Sequence, residues 1–372
     1  MTYEQLKQAM RSQKAELTNS ERSKLYSAGE EVDFLPFGFN SPDSALLPLY
    51  GFSQQQFRES LEVKKELIRR KKEDFDLEGI SLGMSLKGIG RAVGSKIGFP
   101  ENDIEYIEEC ILTDYDQLER MEIIQPQNVP FMVKTIETGH RLKEVFPEMS
   151  VRTSVAGPMT TAISIRKVED VLRDIIRHPQ ELKRLLQFSV DCSLAWVQYV
   201  KNEFGNISCS FADPATSQNL ISWKNFQIFS KPYMKRLFDG IQEITGKKPS
   251  VHICGKTKKL WPDLIDIGVE NFSIDDCEDL AEAKSVLGND MLISGNVPPT
   301  TILRYGSIDD VIANVRECIE KASDSPCGFQ LNTGCQVAIG TPRENIDAYI
   351  YAARKYGRGA QKGHLCKGLE DI

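Results

Sequence analysis

Apolar and polar positions fall into two regimes along this chain, with the change near Val151. Beyond it, short runs rich in Val, Ile, Phe and Leu recur at 151–155, 207–211, 251–254, 271–274, 291–296 and 329–332. Each is bounded by Gly, Pro, Asn or Asp, as strands buried on both faces are. The stretches between them, 168–203, 223–245, 260–267, 280–286 and 342–356, carry apolar side chains at helical spacing. Strand and helix in alternation predict parallel pairing through right-handed crossovers. Two earlier candidates, 32–39 and 75–82, bring the expected strands to eight, the number that closes an α/β fold into a (β/α)8 TIM barrel. Pro36 cannot donate to a ladder, so it weakens the first of them as a strand or places a bend within it.

The first part of the chain has a different texture. Residues 1–30 predict an N-terminal helical extension, whose second helix opens on the capping pattern Thr18-Asn19-Ser20-Glu21. From about 40 to 148 helical patterns such as 56–72 predominate, and this region is expected to be a helical cap inserted into the barrel. Residues 358–372 have no periodicity and are expected to form a mobile tail. The whole chain, 1–372, reads as one barrel domain with these additions.

Composition narrows the function classes. Of 372 residues, 41% are hydrophobic and 27% charged, which suits a globular protein with a substantial core. The net charge is −7 and the 46 basic side chains are scattered, so nucleic acid is not an expected partner. No run approaches the roughly 18 apolar residues of a membrane span, and Met1-Thr2-Tyr3-Glu4-Gln5 lacks the apolar core of a signal peptide. A cytoplasmic location without membrane contact is the expectation. Nine cysteines, an odd number, argue for reduced thiols that are free to bind metal.

The chemistry gathers at the strand ends. In Val251-His252-Ile253-Cys254-Gly255 two metal ligands stand at i and i+2 of a strand, where side chains share a face. Leu331-Asn332-Thr333-Gly334-Cys335 offers a third. One His and two Cys leave a zinc ion an open fourth position, the mark of a catalytic site. The plainer alternative is a buried histidine and buried thiols in barrel strands. Asp213, Asp275 and Asn296 also fall at or just past strand ends; Asp213 before Pro214 and Asn296 fit turns equally well. Gly88-Ile89-Gly90-Arg91-Ala92-Val93-Gly94 lacks a strand-to-helix setting and reads as a flexible cap loop, not a dinucleotide loop. His364-Leu365-Cys366 repeats the His-x-Cys spacing in the tail, where adventitious metal binding is the most it predicts.

These residues resemble the uroporphyrinogen decarboxylase superfamily, and more closely its zinc-dependent corrinoid methyltransferases, the methylcobalamin:coenzyme M branch. The resemblance rests on Val155-Ala156-Gly157-Pro158-Met159-Thr160, Ala212-Asp213-Pro214, His252-Ile253-Cys254-Gly255, Gly295-Asn296-Val297 and Gly334-Cys335 followed by Thr341-Pro342-Arg343-Glu344-Asn345. It implies that His252, Cys254 and Cys335 hold Zn²⁺. Asp275, or Asp276 beside it, would occupy the fourth position until substrate arrives. From their places at strand ends, Asp213 is expected to orient His252 or a ligand proton, and Asn296 to hydrogen-bond substrate. The implied reaction moves a methyl group from a corrinoid on a separate corrinoid protein to a zinc-activated thiol such as coenzyme M. Two alternatives are methyl transfer from a methylated small substrate to the corrinoid, or to an acceptor such as tetrahydrofolate. A tetrapyrrole decarboxylase of the same superfamily would need arginines near the first strand, and Phe34-Leu35-Pro36-Phe37-Gly38-Phe39-Asn40 has none.

Overall fold

The structure is a computed structural model that describes residues 1–370. Its strands are β1 (Val32–Phe34), β2 (Ile80–Ser81), β3 (Lys96–Gly98), β4 (Tyr106–Glu109), β5 (Val151–Ala156), β6 (Ile207–Ala212), β7 (Ser250–Ile253), β8 (Asn271–Ile274), β9 (Leu292–Val297), β10 (Phe329–Thr333) and β11 (Arg358–Ala360). The chain divides into two compact units, Gly79–Glu270 and Met1–Glu78 together with the residues from Asn271 onward. The region expected as one cap, 40–148, is thus shared between them.

In the unit Gly79–Glu270, β2, β5, β6 and β7 are parallel neighbours, with Ile80 opposite Val151, Val151 opposite Ile207 and Phe211 opposite Val251. Val151, Val155, Ile207, Phe211, Val251 and Ile253 are all buried. The helix Pro179–Phe204 buries a long apolar stripe that includes Leu182, Leu186, Trp196 and Val200. Its Trp196 Nε1 donates to Thr153 Oγ1 at 2.9 Å, tying helix to strand. The second early candidate shrinks to the two residues of β2 because the helix Leu61–Phe75 runs into it and ends on a left-handed Asp76. The glycine-rich 88–94 is no flexible loop. It forms the helix Gly88–Val93, and Gly90 allows close packing on the helix Pro158–Ile165, since a Cβ there would lie 2.3 Å from the Ser164 carbonyl oxygen.

In the other unit, β8, β9 and β10 are parallel, with Asn271 opposite Leu292 and Phe329 opposite Ile293. Phe37 makes a parallel bridge to Leu331, whose N–H donates to the Pro36 carbonyl at 3.1 Å. The expected first strand is therefore split at Pro36. Residues before the proline, β1, pair antiparallel with β11, while Phe37 after it takes the place beside β10. A residue without an N–H suits the point where the chain changes partner.

The expected mobile tail is packed instead, apart from Asp371 and Ile372, which lie outside the described residues. Besides β11, Gln361 Nε2 donates to the Gly29 carbonyl at 2.9 Å, Lys367 pairs with Glu31 at 2.7 Å, and Cys366 is buried. Parallel strands alternating with helices make this the mixed α/β, TIM-barrel-like fold that the strand pattern predicts. Among the described residues no helix is long and apolar enough to cross a membrane.

Candidate metal centre

The ladder between β6 and β7 runs out at His252. Ala212 lies opposite it, and the Asp213 N–H donates to its carbonyl at 2.9 Å. Cys254 stands just past the strand, on the same face as the histidine, and His252 Nε2 is 3.1 Å from Cys254 Sγ. Cys335 follows β10 by two residues. Gly334 between them donates its N–H to the Val297 carbonyl at 2.8 Å, and a Cβ on it would lie 2.5 Å from the Asp276 nitrogen. Only glycine lets the Cys335 backbone approach so closely.

The ligand atoms of His252, Cys254 and Cys335 all lie within 4.8 Å of one another. Tetrahedral zinc, with bonds of about 2.0–2.1 Å to nitrogen and 2.3 Å to sulfur, requires N···S and S···S separations of roughly 3.6 and 3.8 Å. The set is on that scale, and the 3.1 Å His252–Cys254 contact is the length of a thiol–imidazole hydrogen bond. One imidazole and two thiols are donors that zinc accepts while keeping a fourth position open. The residues fit the ion.

Asp275 and Asp276 fall outside that three-ligand group. Asp275 is buried, and its Oδ1 accepts from the Cys277 N–H at 3.0 Å. Burial, and then the neighbouring Asp275 charge, pushes the Asp276 carboxyl up. Burial and the hydrogen bond to Asp275 hold the Cys277 thiol up at about 12, so it stays protonated at neutral pH. Asn296 donates both amide hydrogens to backbone, to the Asp275 carbonyl at 3.1 Å and the Glu278 carbonyl at 2.9 Å. It fixes the shape of the loop that carries the two acids.

Asp213 is fully buried at the start of the helix Pro158–Ile165. Its Oδ1 accepts from the Thr160 N–H at 2.8 Å and the Thr160 hydroxyl at 2.7 Å, and its Oδ2 from the Met159 N–H at 3.4 Å. Burial pushes this carboxyl up to about 7 against the pull of those bonds. Its link to His252 runs through the backbone ladder, while its side chain caps the helix. A Cβ on Gly157 would meet the Asp213 Cβ at 2.3 Å, which accounts for glycine in the Gly-Pro pair. In the tail motif Cys366 is buried, which pushes its thiol up to about 12, while His364 is exposed.

Sequence reasoning missed two groups. Thr160 links Asp213 to the Ala215 N–H, 3.1 Å from its hydroxyl, and a Thr in the first turn of a helix after Gly-Pro was the available signal. Gln218 and Asn219 hold the turn after Cys254; no periodicity marks them.

A family model described as uroporphyrinogen decarboxylase (URO-D) matches residues 18–356. The methylcobamide:CoM methyltransferase MtaA of Methanosarcina barkeri is 26% identical over 236 residues, 63% of this chain and 66% of that protein. The methylated-thiol–coenzyme M methyltransferase of Methanosarcina mazei is 27% identical over 279 residues, 70% of this chain and 73% of that one. A solved structure described as a methyltransferase from Methanosarcina mazei has a TM-score of 0.77 at 22% identity, covering 92% of this chain and 99% of its own, so the two share a fold.

Proposed function

The chain belongs to the uroporphyrinogen decarboxylase family, and from that premise we propose that it is a corrinoid-dependent methyltransferase whose acceptor is a thiol held at a zinc centre. The observation that carries this reading is the approach of His252, Cys254 and Cys335 ligand atoms to within 4.8 Å of one another. Relatives named for methylcobamide and CoM support the donor and the acceptor.

Zinc bound to these three residues would keep a substrate sulfur deprotonated near neutral pH, where a free thiol of pKa near 8.5 is mostly protonated. To serve as ligands, His252 presents the lone pair of a neutral imidazole and Cys254 and Cys335 give up their protons. Those two negative charges balance a divalent ion, leaving the open position able to take an anionic sulfur. Asp213 holds the Gly157–Thr160 turn, and Asn296 holds the 275–278 loop, so the residues beside the centre are fixed before substrate arrives. The methyl group would come from a corrinoid carried by a partner protein: the Co–C bond would break with its electron pair left on the cobalt, the new C–S bond would use the thiolate's lone pair, and the product would be a thioether.

Tetrapyrrole decarboxylation is the weaker reading. Residues 34–40 hold no basic side chain, and the segment is committed to packing: Phe34, Leu35 and Phe37 are buried, and Phe39 lies tilted against Tyr349 with ring centroids 4.5 Å apart. Zinc-loaded protein mixed with methylcobalamin and a thiol panel that includes 2-mercaptoethanesulfonate should lose the methyl–cobalt absorption. Cys335→Ala should abolish zinc retention and turnover together. A zinc-free Cys335→Ala protein with full activity would refute the proposal.

A further inference from the structure

We infer that Asn219 is a positioning residue for Cys254, acting through the Gly255–Lys256 turn; the inference rests on the metal-binding reading above. Cys254 directly follows β7, and the turn that leaves it, Gly255–Lys256, sets the direction of its backbone. That direction matters because metal coordination tolerates only a few tenths of an ångström.

The loop after β6 supplies the hold. Lys256 N–H donates to Asn219 Oδ1 at 2.7 Å, Gln218 N–H donates to the Lys256 carbonyl at 2.9 Å, and Lys259 N–H donates to Gln218 Oε1 at 3.0 Å. Gly255 between ligand and clamp has φ +79°, a left-handed turn that favours glycine. A Cβ there would sit 2.5 Å from Asn219 Oδ1, so the amide oxygen occupies the space a side chain at 255 would need. The clamp is itself anchored: Ser217 is buried, its N–H donates to the Pro214 carbonyl at 3.2 Å, and its carbonyl accepts from Ile221 at 3.1 Å.

Asn219 is exposed, and an exposed side chain is ordinarily silent to substitution. That makes its effect on the metal a sharp test. Asn219→Ala removes the acceptor oxygen; Asn219→Asp keeps it. Each variant and the wild type are titrated with Co²⁺, the thiolate-to-cobalt and d–d bands are recorded, and zinc loss to a chromophoric chelator is timed alongside the thermal midpoint. Asn219→Ala should lose zinc about 10-fold faster and show altered cobalt bands at an unchanged midpoint, the size of effect known for groups that orient metal ligands. Asn219→Asp should match wild type. Wild-type spectra and zinc-loss rate in Asn219→Ala would overturn the positioning role while leaving the metal centre standing. A wild-type protein that takes up no cobalt would overturn the centre, and the positioning role with it.

Discussion

Gly334→Ala tests the geometry of the proposed third ligand, Cys335, without replacing any of the three proposed ligands. The new methyl would sit 2.5 Å from the Asp276 nitrogen, 2.7 Å from its Cβ and 3.0 Å from its Cα. Carbon contacts settle near 3.5–4.0 Å, so the two backbones must part by about 1 Å. All three obstructing atoms are main chain or attached directly to it, and no side-chain rotation relieves them. Cys335 is the next residue, and a displacement of that size is several times the roughly 0.2 Å that metal–ligand distances allow. Zinc affinity, measured by competition with a chelator, should fall about 10-fold or more, with an overpacking cost of about 1–3 kcal/mol in urea unfolding. Gly288→Ala is the control: its Cβ would meet the Lys284 carbonyl at 2.6 Å, at the end of the helix Leu280–Leu287. It should lose similar stability and keep its zinc. If Gly334→Ala is destabilised as far as the control yet binds zinc as tightly as wild type, the reasoning that ties Cys335 to this close approach is wrong.

Two further outcomes follow from buried polar groups. Arg22 is buried with its Nε 2.7 Å and Nη2 3.0 Å from the two Asp33 oxygens, so Arg22→Met should cost about 3–5 kcal/mol in urea unfolding by stranding that carboxylate. Burial pushes the Asp33 carboxyl up, but the Arg22 pair and the Leu17 and Phe34 amides outweigh it and leave it below the usual range. Its contribution is therefore complete above the unfolded value of about 3.9 and lost as pH falls through the lower folded one; the acid limb of a stability profile should be shallower in Arg22→Met. Asn296→Ala should cost about 1–3 kcal/mol by orphaning the Asp275 and Glu278 carbonyls, whereas a role confined to substrate would raise KM at an unchanged thermal midpoint.

His252, Cys254 and Cys335 could be singled out as candidate ligands because their signal is local: an i, i+2 pair in an apolar run, and a cysteine after a glycine at the end of another. The strands from β5 onward were legible because both faces are buried, which leaves near-continuous apolar runs. Legibility failed where partner choice decides the structure. Val32 to Phe39 reads as one strand, yet Pro36 divides it between β11 and β10, and nothing local says which partner either half takes. The segment 358–370 has no periodicity because its order comes from pairing and tertiary hydrogen bonds. The clamp at Asn219 was invisible for the same reason, since its partner lies 37 residues away.

The antiparallel pairing of β1 with β11 also bears on how the chain can be shortened. Cutting after Tyr356 would strip Val32 and Phe34 of their Ala360 and Arg358 partners and bare a row of unpaired amides and carbonyls beside apolar side chains. Such an edge recruits strands from other molecules. A trimmed protein would therefore fail first by self-association, with His252, Cys254 and Cys335 all still in the chain.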